Sequence, residues 1–213
     1  MTLIDSLLRG DLAAAFSWII AVTLALTVHE YAHARLADLA GDPTPRSRGR
    51  VTLNPLAHYD PVGSTLILLF GFGWGKPVPV NPGLFRSPRR DNIRVSLGGI
   101  AANLITATVF GLVLRTGVVP EAYQQLFLLI VLLNLALACF NILPLPPLDG
   151  SHALPNLLPP APARKVTAFY AKWGMIPLVV FIVSLNLVPL VGAILWIPIS
   201  ALTWLLTGSP GGF

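Results

Sequence analysis

One cluster in the sequence has residue types and spacing suited to metal chemistry: His29-Glu30-Tyr31-Ala32-His33. On an α-helix, residues four apart lie about 40° apart around the axis and one turn apart along it, so both imidazoles can reach one ion. Glu30 sits between them and can reach a water on that ion as general base. The competing reading is a pair of core histidines bonded to neighbours. Two histidines fall short of a catalytic zinc site, which takes three protein ligands and leaves the fourth position to water. The carboxylates that could supply the third are few: Asp60, Glu121 and Asp149. Asp149 closes the run Asn141-Ile142-Leu143-Pro144-Leu145-Pro146-Pro147-Leu148-Asp149-Gly150. Its prolines break a helix, and Gly150 permits a tight turn that could aim the carboxylate inward. Asp149 is either the missing ligand or the N-cap of a helix starting at Ser151, and the need for a third ligand favours the first.

The elements that must position these groups follow from composition. Of 213 residues, 54% are hydrophobic and 11% charged, with mean hydropathy +0.74. A soluble domain averages about 25% charged residues, so this chain has too little charge to cover a water-facing surface. Disorder is excluded too, since disordered chains are poor in apolar residues. The net charge of +5 belongs to loops beside apolar spans, as the positive-inside rule describes, and does not indicate nucleic acid. The single cysteine, Cys139, excludes an intrachain disulfide and lies in an apolar run as an inert thiol. The five tryptophans suit interfacial anchors.

The first apolar run, residues 12–28, continues as helix through residue 34. A signal peptide is rejected there, because cleavage after Ala34 would cut the histidine motif away. Residues 61–75 are short for a span and basic on both flanks, which predicts a segment that dips into the membrane and returns. Residues 95–114 and 122–142 are full spans. The charge-free stretch from Trp173 onward is too long for one crossing, and a break near residues 186–189 gives a helical hairpin over 173–206. Twelve of the 14 lysines and arginines fall in three loops on one side, predicted to be cytoplasmic. The expectation is one all-α polytopic membrane domain over residues 1–213, with its core at 12–157. It should have five or six transmembrane helices and a short membrane-embedded, re-entrant β-like segment.

The motif H-E-Y-A-H together with N-I-L-P-L-P-P-L-D-G resembles the site-2 protease family of intramembrane zinc metalloproteases. The blocks G-R-V-T-L-N-P-L-A-H-Y-D-P-V-G (residues 49–63) and F-G-W-G-K-P-V-P-V-N (residues 72–81) extend the match in family order. The resemblance is to the small bacterial and archaeal branch without a PDZ domain. It implies one zinc per chain on His29, His33 and Asp149, with Glu30 activating the water. Asn103 stands where the family has A-G-P-x-x-N, although Gly99-Ile100 replaces Gly-Pro here. It either contacts substrate or the developing oxyanion, or glues helices together. Gly71-Phe72-Gly73 is similar to the family's membrane-embedded G-x-G loop, whose exposed edge could add an unwound substrate strand. The alternative for these glycines is a simple turn. His58 lies outside metal-ligand spacing and would organise a loop or the mouth of the site. His152 has either a rim role or that of an ordinary interfacial histidine. Asn141 either caps the broken fourth span or meets substrate.

The implied activity is that of a zinc metalloendopeptidase cutting peptide bonds within or near transmembrane helices, in regulated intramembrane proteolysis. A helix hides its carbonyls in its own hydrogen bonds, so substrates with helix-weakening Gly or Pro are expected. By resemblance these would be membrane-tethered regulators or remnant signal peptides in a prokaryotic cell membrane, with the active site open toward the cytoplasm. The alternatives are a metal or proton transporter and an inactive regulatory relative. The sequence leaves the substrate and the oligomeric state open.

Overall fold

The computed structural model describes residues 2–208, and its regular structure is all helical, with no β-strand among them. The order is α1 (Leu3–Leu8), α2 (Leu12–Ala40), α3 (Thr44–Ser47), α4 (Gly63–Phe70), α5 (Pro88–Arg115), α6 (Glu121–Asn141), α7 (Asp149–Leu157), α8 (Pro160–Trp173), α9 (Ile176–Leu187) and α10 (Pro189–Thr207). The apolar helices α2, α5, α6 and α10 are each long enough to cross a membrane; α8 and α9, bent by 77° at their junction, form a fifth candidate if taken as one broken span. The chain is thus an integral membrane protein of four or five candidate spans, at or below the low end of the five or six expected.

The core is a three-helix contact of α2, α5 and α6, with α10 laid against α5 and α6. Trp18, Ala21 and Val22 of α2 pack on Leu129 and Ile130 of α6. Ala107 of α5, Val131, Leu132 and Leu135 of α6 and Ile199 of α10 form the second cluster. Small residues dominate the buried stripe of α2, where Ala14, Ala21, Ala25, Ala34 and Ala37 let neighbouring backbones come close. Close approach of this kind is how helices associate where lipid removes the hydrophobic drive.

The ends of these helices have local causes. Asp11 accepts from the Ala14 backbone at 2.9 Å and caps the start of α2. Gly41, at φ 108°, ends it in the left-handed conformation. Asp42 follows, wholly buried, and accepts from the backbone N–H groups of Thr44 (3.0 Å) and Asn81 (2.7 Å), tying the exit of α2 to the loop before α5. The prolines after Asn141 stop α6.

The β-like re-entrant segment is corrected. Residues 63–70 form α4, eight residues and so about 12 Å long, well short of the roughly 30 Å hydrocarbon core. Residues 72–80 carry no regular structure. A strand needs a ladder, and the backbone hydrogen bonds here are isolated. The Trp74 N–H donates to Gly63 O (3.3 Å) and the Lys76 N–H to His58 O (2.9 Å), which returns the chain beside its own entry. Glycine is required on this path: a Cβ at Gly73 would lie 2.1 Å from Gly63 O. The Trp18 indole N–H donates to Leu68 O at 2.8 Å and fastens α4 to α2.

Trp18→Phe removes that bond and trims the ring packed on Leu129 and Ile130. The lost bond should cost about 0.5–1.5 kcal/mol, on top of the lost packing, seen as faster amide exchange that is largest in α4.

Candidate active site

Three consecutive turns of α5 present Val95, Gly99 and Asn103 on one face, and these meet His33, His29 and Ala25 of α2 in antiparallel order. His33 Nδ1 lies 2.7 Å from Val95 O. His29 Nδ1 lies 2.6 Å from Asn103 Oδ1. Asn103 Nδ2 donates to Ala25 O at 3.0 Å. Between them Gly99 is a gap that the rings fill, since a Cβ there would lie 2.4 Å from His33 Nε2 and 2.6 Å from His29 Cε1. Both histidines are buried, at 5% and 9% exposure.

The third group arrives from the break after α6. Asp149 is the first residue of α7, and Leu148, not Asp149, holds the cap position with no side-chain cap bond. A Cβ at Gly150 would lie 2.2 Å from Ile142 O, so only glycine lets α7 start this close to the end of α6. Asp149 Oδ2 then sits 3.2 Å from His29 Nε2 and 3.2 Å from His33 Nε2, which are 3.1 Å from each other.

The protons decide what this triangle can hold. Each Nδ1 faces an oxygen acceptor and so carries the ring hydrogen when the imidazole is neutral, which leaves each Nε2 as a lone pair. Asp149 Oδ2 is buried and has no hydrogen-bond partner. Three acceptors therefore converge with no donor among them, an arrangement that calls for a cation. The dimensions also fit zinc: a triangle of this size has its centre about 1.8 Å from each corner, which is compatible with zinc–ligand distances of about 2.0–2.1 Å.

Glu30 is half-buried beside this cluster, and a Cβ at Gly75 would lie 3.4 Å from its Oε1 and 3.7 Å from Leu26 Cδ2. The loop that holds Gly75 is pinned by Arg50, which is 4% exposed. Arg50 Nη1 donates to Pro77 O at 2.9 Å and Nη2 donates to Lys76 O. Burial pushes the Arg50 guanidinium down from its ordinary range, and the negative charge of Glu30 opposes that shift. His58, 2% exposed, lies between Thr52 O (2.8 Å from Nε2) and Arg50 (3.4 Å from Nδ1), inside the loop and away from the metal triangle.

An apolar cavity of about 1180 Å³ opens between α2, α4, α6, α9 and α10. Gly71, Gly73 and Leu26 line it, and Leu26 is one turn before Glu30 on the same face of α2. The other expected residues lie elsewhere. Asn103 is fully buried with its amide spent on α2 and α6. Asn141 Nδ2 donates to Leu137 O at 3.0 Å within its own helix. His152 is exposed. Asp60 Oδ1 accepts from the N–H groups of Val62 (3.1 Å) and Gly63 (2.8 Å), so it caps α4. Sequence reasoning missed Arg50 and Asn134. The signal for Asn134 was available: it is a lone amide in the middle of a 15-residue apolar run.

Two histidines of α2 and an aspartate of α7 thus converge beside a glutamate, a donor set that could hold a metal ion. Comparison with known proteins agrees. The description "Peptidase family M50" matches residues 116–185, from the end of α5 through most of α9 and including Asp149. A Bacillus subtilis (strain 168) protein named "Putative zinc metalloprotease YwhC" is 41% identical over 177 residues, covering 79% of this chain and 81% of that protein. A Mycolicibacterium smegmatis (strain ATCC 700084 / mc(2)155) protein named "Putative zinc metalloprotease Rip2" is 31% identical over 168 residues, covering 76% of this chain and 64% of that protein. No solved structure matches. The chain belongs to peptidase family M50, the site-2 protease family.

Gly99→Ala should drive a methyl group into both imidazoles. Metal analysis of the purified protein should show at least a tenfold loss of zinc affinity with helical content retained. Full zinc binding by this variant would show that the α5 contact does not shape the site.

Proposed function

We propose that this chain is a zinc-dependent endopeptidase that hydrolyses peptide bonds within or beside transmembrane segments of membrane-anchored proteins. The convergence of three acceptors, His29 Nε2, His33 Nε2 and Asp149 Oδ2, carries the reading. His29, His33 and Asp149 would hold the zinc. Bound there, zinc supplies Lewis acidity, which acidifies water and polarises a carbonyl.

The chain's own residues supply the rest. Glu30 takes the proton of the attacking water and returns it to the leaving amine, a task suited to a carboxylate next to the metal site and open on one side. Asn103 and Val95 hold the two rings in the orientation that turns Nε2 inward. The apolar cavity suits an apolar segment that reaches the site sideways from lipid. Gly71 and Gly73 line the cavity, and main-chain groups along this stretch could pair with an unwound substrate. The basic loops support an orientation in which they, and the opening to water, face the cytoplasm of a prokaryotic cell.

The test is cleavage of a single-span reporter with Gly or Pro in its helix, co-reconstituted with the enzyme and zinc in vesicles. Glu30→Gln should lower the rate by about 10²–10⁴-fold while zinc content stays at the wild-type level. A wild-type protein that binds zinc and leaves every such reporter intact would sink the reading. Cleavage at an undiminished rate by Glu30→Gln would remove Glu30 from its role.

A further inference from the structure

His29 is oriented by Asn103, and Asn103 is itself oriented. Its Nδ2 has two hydrogens and two acceptors, Ala25 O at 3.0 Å and Asn134 Oδ1 at 2.7 Å. Asn134 lies at the middle of α6, and its own Nδ2 donates to Ile130 O at 2.8 Å. Asn103 and Asn134 are both completely buried, and His29 is 5% exposed. No water competes for these groups.

The chemistry of the two ends fixes the direction of the whole chain of bonds. A backbone carbonyl can only accept, so Ile130 O requires the NH₂ of Asn134 on its side. Asn134 must then turn its oxygen toward Asn103. Ala25 O and Asn134 Oδ1 together take both hydrogens of Asn103 and fix the plane of its amide. The Asn103 oxygen is left facing His29 Nδ1, which has to be the donor. The consequence is a His29 with its proton on Nδ1 and its lone pair on Nε2, the form a metal needs. Ala25 O alone anchors one hydrogen and leaves the amide plane free to turn.

We propose that Asn134 is a positioning residue of the metal site. It acts through Asn103 to hold His29 in the Nδ1–H tautomer, so that α6, which supplies no ligand from its helical span, sets zinc affinity. The proposal rests on His29 being a ligand, and its readouts separate the two ideas. One readout is taken without metal.

The experiment uses the full chain in lipid nanodiscs. ¹⁵N-histidine spectra of the zinc-free protein report the tautomer of each ring, and His29→Gln assigns the His29 signals by subtraction. Zinc affinity is measured by competition with a chromophoric chelator. Wild type should show His29 as the Nδ1–H form. Asn134→Leu, close in size and without polar atoms, should give a mixture of tautomers and bind zinc about 10- to 100-fold more weakly. Asn134→Asp, protonated in this buried setting, donates its O–H to Ile130 O and keeps an oxygen facing Asn103, so it should retain the wild-type tautomer and bind zinc within about threefold of wild type.

A folded Asn134→Leu that keeps the tautomer overturns the proposal, whatever its zinc affinity, because any loss would then be merely structural. Should Asn134→Leu fail to fold, a folded Asn134→Asp that has lost the Nδ1–H form overturns it. Wild-type zinc binding by His29→Gln would instead refute the ligand assignment, with the tautomer result still standing.

Discussion

The antiparallel contact between α2 and α5 is what the rest of the structure depends on. Val95, Gly99 and Asn103 recur every four residues along α5, and they face Ala25, His29 and His33, which recur every four along α2. One carbonyl, one absent side chain and one amide thus address the two imidazoles in turn. Gly99 sets the distance, since any Cβ would occupy the space of the rings. Val95 O and Asn103 Oδ1 set the protons. Helix spacing, ring orientation and lone-pair direction all follow from one face of one helix.

The aspartate depends on a second close approach, where α6 stops and α7 begins. The prolines after Asn141 end α6 by removing donors and restricting the backbone. Gly150 lets the new helix press against the Ile142 carbonyl. Tyr170 of α8 donates its hydroxyl to Pro144 O at 2.9 Å and holds the broken stretch from outside. A buried carboxylate between two imidazole lone pairs would be costly in a membrane without a cation. The fold spends packing elsewhere, chiefly in the Trp18 and Leu135 clusters, to keep this unfavourable arrangement in place.

The loop carrying Gly75 shows a different economy. Arg50 is buried within the protein, and it uses two backbone carbonyls, Lys76 O and Pro77 O, instead of an acid. This shapes the wall next to Glu30 without neutralising that carboxylate in an ion pair, as the general-base role proposed for it requires. The block containing Arg50 and His58 is recognisable in sequence. Its role is not, because nothing in the spacing of residues 50, 58 and 76 says that they meet.

How much was legible follows from the range of each signal. Scarce charge and long apolar runs determined the membrane class. The four-residue histidine spacing determined that two imidazoles share a helix face, since both are properties of neighbours along one chain. The asparagine at 103 and the aspartate at 149 were visible as unusual residues in apolar surroundings, with their roles left open. Tertiary structure decided what they meet: Asp149 reaches Nε2 atoms more than 110 positions away in sequence, and Asn103 turns to His29 because Asn134 and Ala25 occupy its hydrogens. It also decided against a β-like edge at Gly71-Phe72-Gly73, where the glycines allowed one. A strand exists only if another backbone lies alongside in register, and that depends on the position of distant segments. Local sequence sets which groups are present and at what helical period; only the packing of helices sets which lone pairs face one another.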